Sequence, residues 1–103
     1  MSAIMDTLNR TGLPAAYGFH RDHKEPPYLV YVGGGQTQFK ADNTVYDKTN
    51  LYQIEYYFKH KNEAAEEAIE QTLTEDGFIY EKSEDVYVEE DDLWLIYYDT
   101  WRK

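Results

Sequence analysis

The sequence predicts an α+β fold in which a single, mostly antiparallel β-sheet of four to six strands carries two α-helices. Three observations predict it. Aromatic and aliphatic residues dominate residues 51–60 and 93–101, with the two-residue period of strands. After Asn62 the apolar period changes to about 3.6 residues, as in an amphipathic helix. Hairpin-length connections among the early and late strands favour antiparallel neighbours.

The first helix is predicted over about residues 3–11. Ser2 can cap its start, and Gly12 can end it in the left-handed conformation. A short extended segment then covers 15–19. Residues 28–32, which are Tyr-Leu-Val-Tyr-Val, are typical of a strand.

The middle of the chain is predicted to be a hairpin region. The glycines at 33–35 with Gln36 indicate a flexible turn or loop, and a second strand is expected over 37–41. Asp42 and Asn43 supply the next turn signal. We therefore expect residues 33–50 to protrude from a single domain that spans residues 1–103.

The stretch from Leu51 to Leu73 is predicted to be the centre of the fold. Its strand, 51–60, is apolar on both faces, so Leu51 and Tyr57 are expected to meet a second layer or a neighbouring subunit. Its helix, about 62–75, is expected to bury one apolar side, which consists of Ala65, Ala68, Ile69, Thr72 and Leu73.

After the second helix a strand is predicted to start at 78–80, with 86–88 as its continuation, and a final strand is predicted at 93–101. Because the helix lies between strand 51–60 and the strand that starts at Phe78, those two strands are candidates for a parallel pair. No internal repeat and no linker indicates a second domain.

Composition and motifs favour a protein that is not an enzyme and needs no cofactor. The chain contains no cysteine, and its only serines are Ser2 and Ser83, so no nucleophile with a neighbouring base is indicated. The glycines at 33–35 lack the lysine and the following helix of a phosphate-binding loop. His20, Asp22, His23 and His60 match no metal-ligand spacing, so no metal is predicted.

The N-terminus lacks the basic start and apolar run of a secretory signal, and no apolar stretch is long enough to cross a bilayer. This predicts a soluble, intracellular protein that contacts no membrane.

Negative charge is concentrated in the second part of the chain. The net charge is −10; residues 1–62 contain seven basic and six acidic residues, whereas 63–103 contain three and fourteen. Such a field repels nucleic-acid phosphates and favours a basic partner, a DNA mimic, or a surface that DNA passes without binding. The predicted acidic surface consists of Glu63, Glu66, Glu67, Glu70, Glu89, Glu90, Asp91 and Asp92.

Several short segments of the sequence resemble those of a known family. They are L-P-A-A-Y-G-F (13–19), E-P-P-Y-L-V-Y (25–31), A-D-N-T-V-Y (41–46), Y-Q-I-E-Y-Y (52–57), E-A-A-E-E-A-I-E (63–70) and L-W-L-I-Y-Y-D (93–99). Together with the short first helix, they resemble the tail-terminator proteins of long-tailed phages and of prophages of Gram-positive bacteria. These are also called tail-completion or head–tail joining proteins. The resemblance spans nearly the whole chain.

The resemblance implies a structural virion protein without catalytic residues, present in the tail or neck of the virion and in the host cytoplasm during assembly. It implies a ring of copies, a hexamer on the tail, that ends tail-tube assembly and joins tail to head. The partners are then the chain itself, the tail-tube protein and a head-closure or connector protein. DNA passes through without specific binding, and there is no small-molecule substrate.

Contacts in that family are made by sheet edges and extended loops, which points to the hairpin region and the termini. The predicted subunit or partner interface consists of Gly33, Gly34, Gly35, Gln36, Gln38, Phe39, Asp42 and Asn43. Part of the acidity in 63–92 is expected to face the DNA channel. The alternatives are another phage neck component, such as a head-closure or connector protein, an acidic inhibitor that mimics DNA, and a small ligand-binding or enzymatic domain.

Overall fold

The computed structural model describes residues 3–20, 25–41 and 44–102, with side chains over 4–20, 25–34 and 51–102. In chain order the elements are α1 (Ala3–Asn9), β1 (Ala15–Tyr17), β2 (Tyr28–Ala41), β3 (Thr44–Phe58), α2 (Glu63–Glu75), β4 (Ile79–Lys82), β5 (Val86–Val88) and β6 (Leu93–Arg102). The described chain measures 49 × 26 × 26 Å. The predicted α+β class, with six strands and two helices, is confirmed.

The strands form one sheet in the order β1-β2-β3-β6-β4. Strand β5 also pairs with β6, at residues 93–95, whereas β4 pairs with residues 98–101 of β6. The β1–β2 pair is parallel and every other pair is antiparallel. The candidate parallel pair is not formed, because β6 lies between β3 and β4. The connection from β3 through α2 to β4 therefore passes over the position of β6, which is the last strand in the sequence.

Both helices pack on the same face of this sheet. Alternation along β3 turns Ile54, Tyr56 and Phe58 toward Ile69 and Leu73 of α2, which are fully buried. From α1, Ile4 and Leu8 enter the same core, as do residues of β2 and β6. Burying this face is the main source of stability, at roughly 25 cal/mol per Å² of apolar surface. No helix covers the opposite face within residues 3–20, 25–41 and 44–102.

The ends of α2 follow from its sequence. Asn62 has an extended backbone, and its side-chain oxygen accepts a hydrogen bond from the amide of Ala65 at 3.2 Å, which satisfies one free amide of the first turn. Gly77, with φ of 84°, follows the last turn. Helix α1 ends at Asn9, two residues earlier than predicted, and a turn leads to Gly12, whose φ is also 84°.

The prediction of a turn at 33–36 is wrong. Strand β2 continues through the three glycines to Ala41, and β3 begins at Thr44, so these are strands of 14 and 15 residues. The glycines instead coincide with a shift in the β2–β3 register between Gly33 and Gly35, which is the signature of a β-bulge. A bulge bends a strand without ending it.

No helix among the described residues is long and apolar enough to cross a membrane.

Candidate assembly surfaces

The predicted interface residues lie mainly on the outer part of the β2–β3 hairpin. Gly33, Gly34, Gly35, Gln36, Gln38 and Phe39 all belong to β2, whereas Asp42 and Asn43 lie outside the described residues. Strand β1 pairs only with residues 29–31 of β2, and β6 pairs only with residues 50–58 of β3. Within the described chain, the hairpin beyond these points is a ribbon of two strands with no third strand.

At the bulge, Gly34 of β2 lies close to Leu51 of β3. A Cβ atom built on Gly34 would lie 3.1 Å from the Cβ of Leu51 on the facing strand. A Cβ on Gly33 would meet nothing within 4 Å. Of these two glycines, Gly34 is therefore the one at which a side chain would be crowded.

The face of the sheet without helices carries aromatic side chains. Tyr28 and Tyr57 occupy paired positions, and their rings stack with centroids 5.0 Å apart. The Tyr57 hydroxyl donates a hydrogen bond of 2.7 Å to Glu55. Burial, reinforced by this bond, raises the pKa of Tyr57, so the phenol stays protonated. Tyr57 is half-buried without an overlying helix, which leaves open the prediction that it meets a neighbouring subunit.

Two shallow pockets open on the same face. One, of about 470 Å³, is lined by Gly18, Phe19, His20, Glu25, Pro26, Tyr28, Val30, Tyr57, Lys59, Asp91 and Leu93. His20 Nε2 lies 3.1 Å from the carbonyl oxygen of Leu29, which orients the ring. The other, of about 370 Å³, lies at the base of the hairpin and includes Leu51 and Trp101. The first is lined about equally by polar and apolar groups, and the second mainly by apolar ones; such mixtures are common in protein contact surfaces.

Six of the eight residues of the predicted acidic surface are exposed, and two are not. The side chains that are exposed are Glu63, Glu67, Glu89, Glu90, Asp91 and Asp92. The prediction that Glu66 lies on the surface is wrong, because only 2% of this residue is exposed. Glu70 is half-buried beside it. Both carboxylates point toward the sheet, where two lysines neutralise them.

The charge cluster is formed by Glu66, Glu70, Lys61 and Lys82. Lys82 Nζ lies 2.8 Å from Glu66 Oε1 and 2.8 Å from Glu70 Oε2. Lys61 Nζ lies 2.8 Å from Glu66 Oε2 and 3.2 Å from Asp85 Oδ1. Glu70 also accepts hydrogen bonds from the hydroxyls of Tyr98, at 2.8 Å, and Tyr80, at 3.3 Å.

The pKa shifts within this cluster stabilise its charged state. Burial alone would raise the pKa of Glu66, but the ammonium groups of Lys61 and Lys82 together lower it below its ordinary value. Burial would lower the pKa of Lys82, yet its contacts with Glu66 and Glu70 raise it. Burial and the hydrogen bond to Glu70 raise the pKa of Tyr98. At neutral pH the Glu66 carboxylate and the Lys82 ammonium group are therefore charged, and the Tyr98 phenol is neutral.

The charge cluster joins α2 to β4 and β6, and its member Lys61 also lines the pocket of about 270 Å³. Glu66, Glu70 and Lys82 line none of the pockets of about 470, 370 and 270 Å³. General acid–base chemistry needs such a group within reach of a bound substrate. The arrangement is that of a structural ion network.

The burial of Glu66 has a signal in the sequence. Residues 66, 69 and 73 repeat at intervals of three and four, so Glu66 belongs to the same helical stripe as Ile69 and Leu73. Ala68, predicted to be in that stripe, is exposed instead. A buried glutamate in an apolar stripe needs a basic partner on the facing strand. Lys82 is two residues after Tyr80, which packs against the core, so both side chains lie on the same face of β4.

In comparisons with known proteins, the chain matches no family model and no curated protein. Within residues 3–20, 25–41 and 44–102, no group of three or more histidine, aspartate or glutamate side chains is placed to hold a metal ion. Support for a function therefore lies in the arrangement of the hairpin, the helix-free face and the acidic surface.

Proposed function

We propose that this chain is a structural virion protein that binds the head-proximal end of a phage tail, ends tail-tube assembly and joins the tail to the head as a ring of identical copies. The observation that carries the proposal is the two-stranded outer part of the β2–β3 hairpin. An isolated two-stranded ribbon is at best marginally stable in water. A partner that binds its free strand edges would stabilise it, as in β-strand addition.

The helix-free face offers a second contact surface. Its stacked pair, Tyr28 and Tyr57, and the mainly apolar pocket at the base of the hairpin would gain energy when covered. In a ring every copy uses two different surfaces, one for each neighbour. A projecting hairpin and an open sheet face supply two such surfaces on one chain.

The charge of the exposed surface suits a passage for DNA. Glu63 and Glu67 on α2 and the four carboxylates of residues 89–92 are exposed. Carboxylates repel phosphates, so a channel lined by part of this surface would let DNA slide without binding. Neutralisation of Glu66 and Glu70 within the charge cluster removes two of the predicted charges from that surface.

The proposal is tested by mixing the purified protein with purified tail tubes and imaging them by electron microscopy. Binding at one end, with no further growth of the tube, is the expected result. Lateral binding or no binding to tubes contradicts it. Binding to connector complexes but not to tubes would assign the chain to head closure instead.

A variant with a shortened β2–β3 hairpin tests whether the hairpin makes the contact with the tube. Gln36 and Asn50 are paired across the hairpin, so replacing residues 37–49 with Asn-Gly joins them by a two-residue turn. The removed segment lies beyond the residues of β2 that pair with β1 and the residues of β3 that pair with β6. We expect this variant to fold but not to bind tube ends. Competition with DNA for a DNA-binding enzyme would instead indicate a DNA mimic.

A further inference from the structure

The β5–β6 hairpin presents two large aromatic side chains to solvent. Tyr87 and Trp94 are paired across the strands, and their ring centroids are 5.2 Å apart. Tyr87 is 48% exposed and Trp94 is 39% exposed. Trp and Tyr are the residues most enriched among those that dominate binding energy at protein interfaces. Neither is in the core cluster, so packing of the core does not account for them.

The aromatic pair is held in place before any partner binds. The Tyr87 hydroxyl donates a hydrogen bond of 2.7 Å to Asp92. Asp92 has φ of 52°, a left-handed conformation that is uncommon for residues other than glycine. On its other side, Trp94 is paired with Phe58, which is buried. Groups that are already ordered lose little entropy on binding.

The surroundings of the pair define the chemistry of its partner. Glu89, Glu90, Asp91 and Asp92 form the turn between the two strands, and all four are exposed. Lys59 lies 3.7 Å from Asp92, while Glu89, Glu90 and Asp91 form no ion pair with any described residue. The Tyr87 hydroxyl and then Lys59 lower the pKa of Asp92, so this carboxylate, which also holds Tyr87, is charged at neutral pH.

We propose that Tyr87, Trp94 and the turn 89–92, together called the aromatic–acidic patch, are a docking surface for a basic, arginine-containing segment of a partner protein. A guanidinium group stacks on the face of an indole ring and pairs with carboxylates at the same time. Aromatic rings flanked by uncompensated carboxylates match that chemistry. The inference does not rest on the proposed tail function, because it needs neither the β2–β3 hairpin nor a DNA channel, although the turn 89–92 belongs to the exposed acidic surface named there.

The test measures binding of a fluorescently labelled nonapeptide of alternating arginine and serine by anisotropy at 50 mM NaCl. We expect the Trp94→Ala variant to bind about tenfold more weakly, which corresponds to the loss of one desolvated cation–π contact. Trp94→Phe retains an aromatic face and should lose about threefold or less. Circular dichroism checks that each variant is folded.

A matched pair of charge variants separates the patch from general acidity. Glu89→Gln with Glu90→Gln removes two charges from the patch, and Glu67→Gln with Glu81→Gln removes two exposed charges from α2 and β4. Only the first pair should weaken binding, by about fivefold at this salt concentration. The proposal is overturned if the wild-type protein does not bind the peptide, or if both pairs weaken binding equally. It is also overturned if all the tryptophan variants bind like the wild-type protein.

Discussion

Lys82 on β4 donates a hydrogen bond of 2.8 Å to Glu66 on α2, across 16 residues of sequence. The same ammonium group lies 2.8 Å from Glu70, so one lysine neutralises both carboxylates that α2 turns toward the sheet. Because Glu66 is almost fully buried, this contact compensates a charge that would be costly without a partner.

Replacing Lys82 should therefore destabilise the fold. Lys82→Met keeps the length of the side chain but leaves Glu66 with Lys61 as its only neutralising group among the described residues. We expect a loss of about 2 kcal/mol in the free energy of unfolding, less than for a completely unpaired buried charge because Lys61 remains. Urea denaturation at pH 7 measures it.

Lys59→Met is the control for this measurement. Lys59 is exposed, and its contact with Asp92 is a surface ion pair at 3.7 Å. Its replacement should change stability by about 0.5 kcal/mol or less. Equal losses in the two variants would contradict a structural role for the charge cluster.

The charge cluster also predicts a pH dependence. The pKa of Glu66 is lowered in the folded protein relative to its ordinary value of 4.5. Its contribution to stability is therefore complete above pH 4.5 and is lost as the pH falls through the folded-state pKa. Glu66→Gln should be less stable than the wild-type protein at pH 7, and the difference should shrink as the pH approaches 3.

Unfolding free energies of both proteins between pH 3 and pH 7 measure this difference. Glu67→Gln is the matched control, since Glu67 is exposed on the same helix, and its difference from the wild-type protein should stay near zero throughout. A Glu66→Gln difference that does not change with pH would show that Glu66 acts through shape rather than charge.

The two neighbouring glycines at the hairpin base should respond in opposite directions. Gly34→Ala places a methyl group 3.1 Å from the Cβ of Leu51, so we expect a loss of about 1 kcal/mol. Gly33→Ala meets nothing within 4 Å and reduces the freedom of the unfolded chain, which should stabilise by about 0.5 kcal/mol. Urea midpoints compare them. Equal effects would mean that the bulge imposes no close approach.

Sequence reasoning recovered the elements whose signal is periodic and local. The alternation in 51–60 predicts the inner part of β3, which ends at Phe58, and the change of apolar period at Asn62 predicts α2. It missed the continuity of β2, because three glycines have the same local preference in a turn and in a bulge, and only the facing strand decides between them. It missed the burial of Glu66 because Lys82, its partner, is distant in sequence and is placed by the sheet.

Ser83 shows a further long-range effect that no local pattern predicts. It lies between β4 and β5, where β6 would otherwise lack a partner. Its amide donates to the carbonyl of Tyr97 at 2.8 Å, and its hydroxyl accepts from the amide of Tyr97 at 2.9 Å. A serine side chain thus replaces one backbone acceptor of the strand ladder.

Ser83→Ala should therefore leave the half-buried Tyr97 amide without its acceptor. We expect a loss of about 1–2 kcal/mol and faster hydrogen exchange of that amide, because an unpaired buried donor carries a desolvation cost. Ser83→Thr keeps the hydroxyl and should retain most of both. Thr74→Ala is the control, since its hydroxyl bonds only to the carbonyl of Glu70 on the exposed side of α2 and alanine is a better helix former. If Ser83→Ala and Thr74→Ala have the same stability, or if exchange at Tyr97 is unchanged, the hydroxyl does not support the sheet.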